Sequence, residues 1–161
     1  MMDVKTILHP TDFSADSRCA FELACAIARE RCSKLIVLHV AGPAVPGYGE
    51  AALLYDPEET YAAFREELGE VKASDCTPKV EHRFVIGDPA REIVRVAEEA
   101  PADLIVMGTR GRSGLTRLVM GSVAEHVLRK APCPVLTVKA TDRVPPAAQK
   151  TPEHAVAVWG D

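Results

Sequence analysis

The chain lacks a basic excess. Its 161 residues carry 19 lysines and arginines against 23 aspartates and glutamates, a formal net charge of -4, whereas domains that hold nucleic acid usually lean the other way. DNA and RNA are therefore not expected partners. Paired cysteines are missing too: the five, Cys19, Cys25, Cys32, Cys76 and Cys133, are odd in number, widely spread and form no C-x-x-C pair, which argues against zinc and thioredoxin-like sites and for a reduced compartment. No apolar stretch approaches the ~20 residues that a membrane span requires. The opening MMDVKTILHP enters a strand within a few residues and has neither the basic start nor the long apolar region of a signal peptide. The expectation is a soluble, cytoplasmic protein. Internal repeats and low-complexity stretches are also absent, and a chain of this length can bury a core without staples, so one compact domain is expected.

What is present is alternation. Val4 to Leu8 and Leu35 to Val40 are short apolar runs of the kind that form strands buried on both faces. Between them Ser14 to Arg31 reads as a helix, capped by Ser14 or Ser17, with Phe21, Ala24 and Ala28, and also Leu23 and Ile27, at helical spacing. Gly42 to Tyr55 is a Gly- and Pro-rich connection, suggesting a mobile or oligomer-contacting loop. Asp56-Pro57 and Asp88-Pro89 each start a helix, with the aspartate as cap and proline in the first turn. Tyr61, Phe64, Leu68 and Val71 are the expected core face of the first of these, and Ile93, Val94 and Ala97 that of the second. Val80 to Ile86, Leu104 to Met107 and Val135 to Val138 supply three further strands. Ser122-x-x-Glu125 reads as a capping box on a last helix carrying Val123, Val127 and Leu128. Strict alternation implies the doubly wound α/β class, a parallel sheet of five strands with helices on both faces.

In such sheets ligands bind beyond the carboxyl ends of strands, where strand order reverses. Two strand ends carry polar or glycine-rich chemistry: Pro10-Thr11-Asp12, and the run GTRGRSGLTRLVMGS from Gly108 to Ser122. Glycines at 108, 111 and 121 ahead of a helix suit a phosphate cradle, because missing Cβ atoms and a helix N-terminus expose backbone amides to an anion. Within that run neither the Gly-Lys-Ser/Thr of a P-loop nor the G-x-G of a dinucleotide fold occurs. Asp12 is the single carboxylate at the end of the first strand, fit for Mg2+ shared with phosphate oxygens or for an ordinary turn. Arg110, Arg112 and Arg117 put positive charge on the loop, as a phosphate clamp or as a solvated face. His9 and His39 end buried strands and read as packed or hydrogen-bonded, not catalytic.

Taken together, the strand ending Pro10-Thr11-Asp12-Phe13-Ser14, Leu38-His39-Val40, Gly87-Asp88-Pro89, Asp103 to Gly108, the glycine spacing Gly108, Gly111 and Gly121 with Ser122, and Ala131 to Val135 resemble the universal stress proteins, specifically the branch that binds ATP. The resemblance spans Val4 to Lys139 and implies strand order 3-2-1-4-5, a domain over residues 1–140 and a tail over residues 141–161. It implies that Pro10, Thr11 and Val40 line an adenine pocket, with Met107 and Gly108 beside the adenosine. Gly111, Gly121, Ser122 and Val123 would meet ribose and phosphate, with Arg110 nearby, and Asp12 would approach the phosphates and Mg2+. The family also implies a homodimer paired through Val135 to Val138. The implied function is a nucleotide-dependent stress-response module, with no catalytic residue assigned. The alternative reading is a slow ATPase or autophosphorylating enzyme; a phospho-acceptor receiver domain is disfavoured, because Asp12, Asp88, Thr109 and Lys139 are present but the acidic pair is lacking and Asp88-Pro89 reads as a helix start.

Overall fold

Apolar runs and helix starts turn into elements in the order of the chain. The computed structural model describes residues 3–43, 56–72, 79–109 and 120–140. The elements are β1 (Thr6–Pro10), α1 (Ala15–Arg31), β2 (Lys34–Ala41), α2 (Pro57–Glu70), β3 (Val80–Ile86), α3 (Pro89–Glu99), β4 (Leu104–Gly108), α4 (Ser122–Lys130) and β5 (Val135–Val138). The strands form one parallel sheet in the order β3-β2-β1-β4-β5, the expected doubly wound arrangement. The Gly42 to Tyr55 loop from residue 44 on, Arg110 to Arg117 and the segment after Ala140 lie outside the described residues.

Because strand side chains alternate across the sheet, each central strand feeds two cores. Ile7, Leu35, Val37 and Val106 pack with Ala20, Ala24 and Ala28 of α1 and Leu68 of α2. Leu8, Ile36, Leu38, Ile105 and Met107 pack with Ile93, Val96 and Ala97 of α3 and with Ala124 and Val127 of α4. The buried stripes differ in part from those expected. On α1 the small residues Ala20, Ala24, Cys25 and Ala28 face inward, while Leu23 is 38% exposed; short side chains let this helix approach the sheet closely. On α3 the buried third member is Val96, not Val94, and on α4 it is Ala124, with Leu128 exposed.

Three caps are as expected. Ser14 accepts from Ser17 N–H, Asp56 from Glu58 N–H and Asp88 from Arg91 N–H. The fourth is a correction. Gly121 is the N-cap of α4 and Ser122 the first helical residue, so the capping box does not form. The chain enters its helix one residue early: Glu125 N–H already donates to the Gly121 carbonyl at 3.0 Å, and the Glu125 carboxylate turns to Arg129 at 2.8 Å instead. At the far edge of the sheet, Glu81 on β3 is bonded by Lys34 and Arg83, and both cations hold its carboxyl below the ordinary value.

The site's position follows from where β1 and β4 part. Their pairing ends at Leu8 with Ile105. In the continuation of that register the Val106 carbonyl faces residue 10, and Pro10 has no N–H to give. His9 fills the deficit: its Nδ1–H donates to the Val106 carbonyl at 2.8 Å. The imidazole is fully buried against Phe21, ring centroids 5.5 Å apart. Its Nε2 has no hydrogen-bond partner among the described residues, so burial disfavours a second proton and pulls its pKa from 6.5 to about 4, against the opposing influence of the Val106 hydrogen bond and the Asp12 charge. Beyond Pro10 the two strands are free to diverge, and α1 closes one side. A Cβ on Gly108 would lie 3.0 Å from the backbone of both Asp16 and Ser17; only glycine lets the first turn of α1 sit against the end of β4.

Two expectations follow. Between pH 6.5 and 4 the unfolded chain binds a proton at His9 that the native state refuses, so stability falls as pH drops, by about 2 kcal/mol between roughly pH 7.5 and 5. Urea unfolding at both values should show this, and His9→Asn, which keeps a donor for Val106 but does not titrate, should lose that part of the slope. Gly108→Ala should destabilise by about 1–3 kcal/mol through overpacking against α1; an unchanged urea midpoint would show that α1 yields freely.

Candidate functional site

The parting of β1 and β4 opens a crevice at the carboxyl end of the sheet, with a cavity of about 180 Å³. Its apolar wall is built by Leu38 and Val40 from β2, Met107 from β4, Ile93 from α3 and Val123 from α4. Its polar side comes from Thr11 and Asp12 after β1, Ser17 on α1, Thr109 after β4 and Ser122 on α4.

The turn after β1 is tightly determined. Phe13 has φ 63°, the left-handed region, a conformation that costs a non-glycine residue about 1–3 kcal/mol. Its surroundings hold it there. Thr11 Oγ1 accepts from Phe13 N–H at 3.1 Å and from the Ser17 hydroxyl at 2.8 Å, while Asp12 Oδ1 accepts from Ser14 N–H at 3.1 Å. Arg18 Nη1 donates to the Phe13 carbonyl at 2.8 Å. From β2, His39 Nδ1–H donates to the Thr11 carbonyl at 2.8 Å, and its ring packs on Phe13 and Phe64 at 4.5 and 5.0 Å between centroids. Both histidines are thus bonded through Nδ1 to backbone carbonyls, as their places at strand ends suggested.

On the other side, Thr109 N–H continues the ladder to the Val138 carbonyl at 2.9 Å, and the Thr109 carbonyl accepts Gly121 N–H at 2.7 Å. This last bond brings the start of α4 back to the end of β4. The amides of Ser122, Val123 and Ala124 lie in the first turn, where no intrahelical acceptor exists, and the N-cap residue, Gly121, has no side chain with which to cap them. All three residues line the crevice. The failed capping box therefore leaves a helix N-terminus facing the cavity, the arrangement that attracts anions.

Of the residues singled out in the sequence, Pro10, Thr11, Asp12, Val40, Met107, Gly108, Gly121, Ser122 and Val123 all line this one cavity. Arg110 and Gly111 lie outside the described residues. The reason for glycine at 108 is revised: its missing Cβ makes room for α1 and not for a ligand. Asp88, an acid that a receiver domain would need, caps α3 and is not among the lining residues. Sequence reasoning missed Ser17, Leu38, Ile93, Thr109 and Ala124 as wall residues. Thr109 adjoins a glycine already chosen and could have been found; Ile93 reaches the crevice only through the fold.

Among the described residues no helix is long and apolar enough to cross a membrane. Residues 3–139 match the profile of the universal stress protein family. The chain is 40% identical over 141 residues to universal stress protein MJ0531 of Methanocaldococcus jannaschii, a match covering 84% of this chain and 82% of that one. Among solved structures it is similar to universal stress protein UspA from Lactobacillus plantarum, with TM-score 0.70 and 28% identity over 86% of this chain and 99% of the other. It is also similar to a universal stress protein in complex with cAMP, with TM-score 0.64 and 31% identity over 87% of this chain and 100% of the other. Fold, strand-end chemistry and sequence agree: the chain belongs to the universal stress protein family.

Proposed function

We propose that the crevice binds an adenine nucleotide, ATP with Mg2+ in particular, and that its occupancy serves a stress-response signalling role in the cytoplasm. The observation that carries this reading is the convergence of an apolar slot, a lone carboxylate and a helix N-terminus with glycine at its N-cap on one cavity. At about 180 Å³ it is smaller than the roughly 300–1,000 Å³ of a whole-ligand pocket. It suits an enclosed base, with ribose and phosphates extending over the mouth. Pro10, Thr11 and Val40 would hold the adenine, Met107 and the Gly108 backbone would flank the nucleoside, and the amides at Gly121, Ser122 and Val123 would meet ribose and phosphate. Arg110 and Gly111 would add to this from the loop. The complex of a similar family member with cAMP supports an adenine ligand, and the free thiols of Cys19, Cys32 and Cys133 suit a reducing compartment.

Asp12 is the only ionisable side chain among the described lining residues, and no cluster of three or more ligating side chains exists among the described residues. A cation here would need phosphate oxygens beside Asp12, which is how Mg2+ commonly binds. The ion would neutralise phosphate charge against that carboxylate, so metal and nucleotide should bind together. The reading assigns the crevice to binding, not to turnover.

Thermal unfolding with AMP, ADP, ATP and cAMP, with and without Mg2+, tests it. At ~100 times the dissociation constant a ligand adds about 2.7 kcal/mol, a rise of roughly 5–10 °C for a chain of this size. Absence of any shift in the wild type would sink the reading, and a full shift in Gly121→Val would move the site elsewhere. Asp12→Asn should lose the Mg2+-dependent part of the ATP shift while AMP still binds.

The same reading includes a homodimer through the sheet edge at β5. Leu136 stands 38% exposed on that edge strand, and an unpaired edge invites a second strand. Sedimentation should give a two-chain species, and Leu136→Arg should shift it toward one chain.

A further inference from the structure

Thr109 stands where four segments meet. Besides its backbone bonds to Val138 and Gly121, its hydroxyl donates to Asp16 Oδ2 at 2.8 Å. The other oxygen of that carboxylate, Oδ1, accepts the N–H of Ala140 at 2.9 Å. A ring of hydrogen bonds thus joins the first turn of α1, the end of β4, the start of α4 and the end of β5. Asp16 is only 4% exposed and is not among the crevice-lining residues. A carboxylate withdrawn from water this far is retained where hydrogen bonds offset its desolvation, and here the bonds run to Thr109, which lines the crevice, and to Ala140 at the end of the edge strand.

We propose that Asp16 is a positioning residue for the nucleotide crevice. By fixing the Thr109 hydroxyl it sets where the Thr109 carbonyl holds Gly121, and hence where the amides of α4 face the ligand. Through Ala140 the same carboxylate ties that geometry to the end of the edge strand β5. By linkage, a nucleotide that tightens the mouth must also tighten Ala140, and the reverse. This inference rests on the nucleotide reading of the crevice but concerns a residue that reading does not use. The close approach of Gly108 to Asp16 and Ser17 gives the carboxylate a rigid base from which to act.

The test compares Asp16→Ala, Thr109→Val and Thr109→Ser in the full chain, by amide exchange and by AMP titration well below each variant's melting temperature. Asp16→Ala and Thr109→Val should each speed exchange of the Gly121 amide and weaken AMP, both by roughly tenfold. Thr109→Ser, which keeps the hydroxyl, should restore both, and the double variant Asp16→Ala/Thr109→Val should be no worse than either single one, because the two act as one unit. In the wild type, AMP should slow exchange at Ala140. Variants that melt earlier yet keep their AMP affinity and Gly121 exchange would overturn the inference and leave Asp16 a packing residue. Should Asp16→Ala fail to fold, Thr109→Val against Thr109→Ser makes the same comparison. Should the wild type bind no adenine nucleotide, the nucleotide reading falls by itself. Gly121 exchange in the ligand-free variants then decides whether Asp16 positions α4, and unchanged exchange overturns that too.

Discussion

A single missing N–H organises the carboxyl end of this sheet. Because Pro10 cannot donate to the Val106 carbonyl, β1 and β4 stop pairing at Leu8 and Ile105, and the two strands separate where strand order reverses. Opening a parallel sheet at its centre would normally strand a buried carbonyl, at a cost of a few kcal/mol. The imidazole of His9 prevents this by donating from a neighbouring position. The crevice is therefore built into the backbone chemistry of the His9-Pro10 pair, and the rest of the site arranges itself around the gap.

The walls are then fixed by polar groups that serve structure first. Thr11 holds the left-handed Phe13 and the start of α1, His39 anchors the same turn from β2, and Thr109 draws α4 back across the sheet. Strain at Phe13 persists because the bonds around it over-determine the turn. Such a turn presents Asp12 and the Thr11 backbone to the cavity with little freedom to move. That is the preorganisation a binding site needs if affinity is not to be lost in ordering its own walls.

Much of this was legible in the sequence, for identifiable reasons. Strands β3 and β5 and the Asp-Pro helix starts at 56 and 88 follow from local chemistry alone, and the structure keeps them. Strand order did not follow from the residues by themselves; it came with the resemblance. Where local rules failed, a tertiary demand had won. The Ser122-x-x-Glu125 pattern satisfies every local criterion for a capping box, but the bond from Gly121 to the Thr109 carbonyl sets the helix entry one residue earlier. Glycine at 108 looked like room for a ligand and proved to be room for α1. Ile93 and Ser17 could not be seen as wall residues, since their approach to the crevice exists only once four elements have packed.

The two edges of the sheet are chemically unlike. At β3 Glu81 is salt-bridged to Lys34 and Arg83 on the same strand as Ile86, which is 46% exposed, whereas β5, Val135 to Val138, carries no charged residue of its own. A sheet protected at both ends stays solitary, and one bare at both ends can extend without limit into a fibre. Charge on one edge alone disfavours growth from that edge. Were two chains to pair through β5 as proposed, the charges around Glu81 would oppose the addition of a further strand from the opposite side of the molecule.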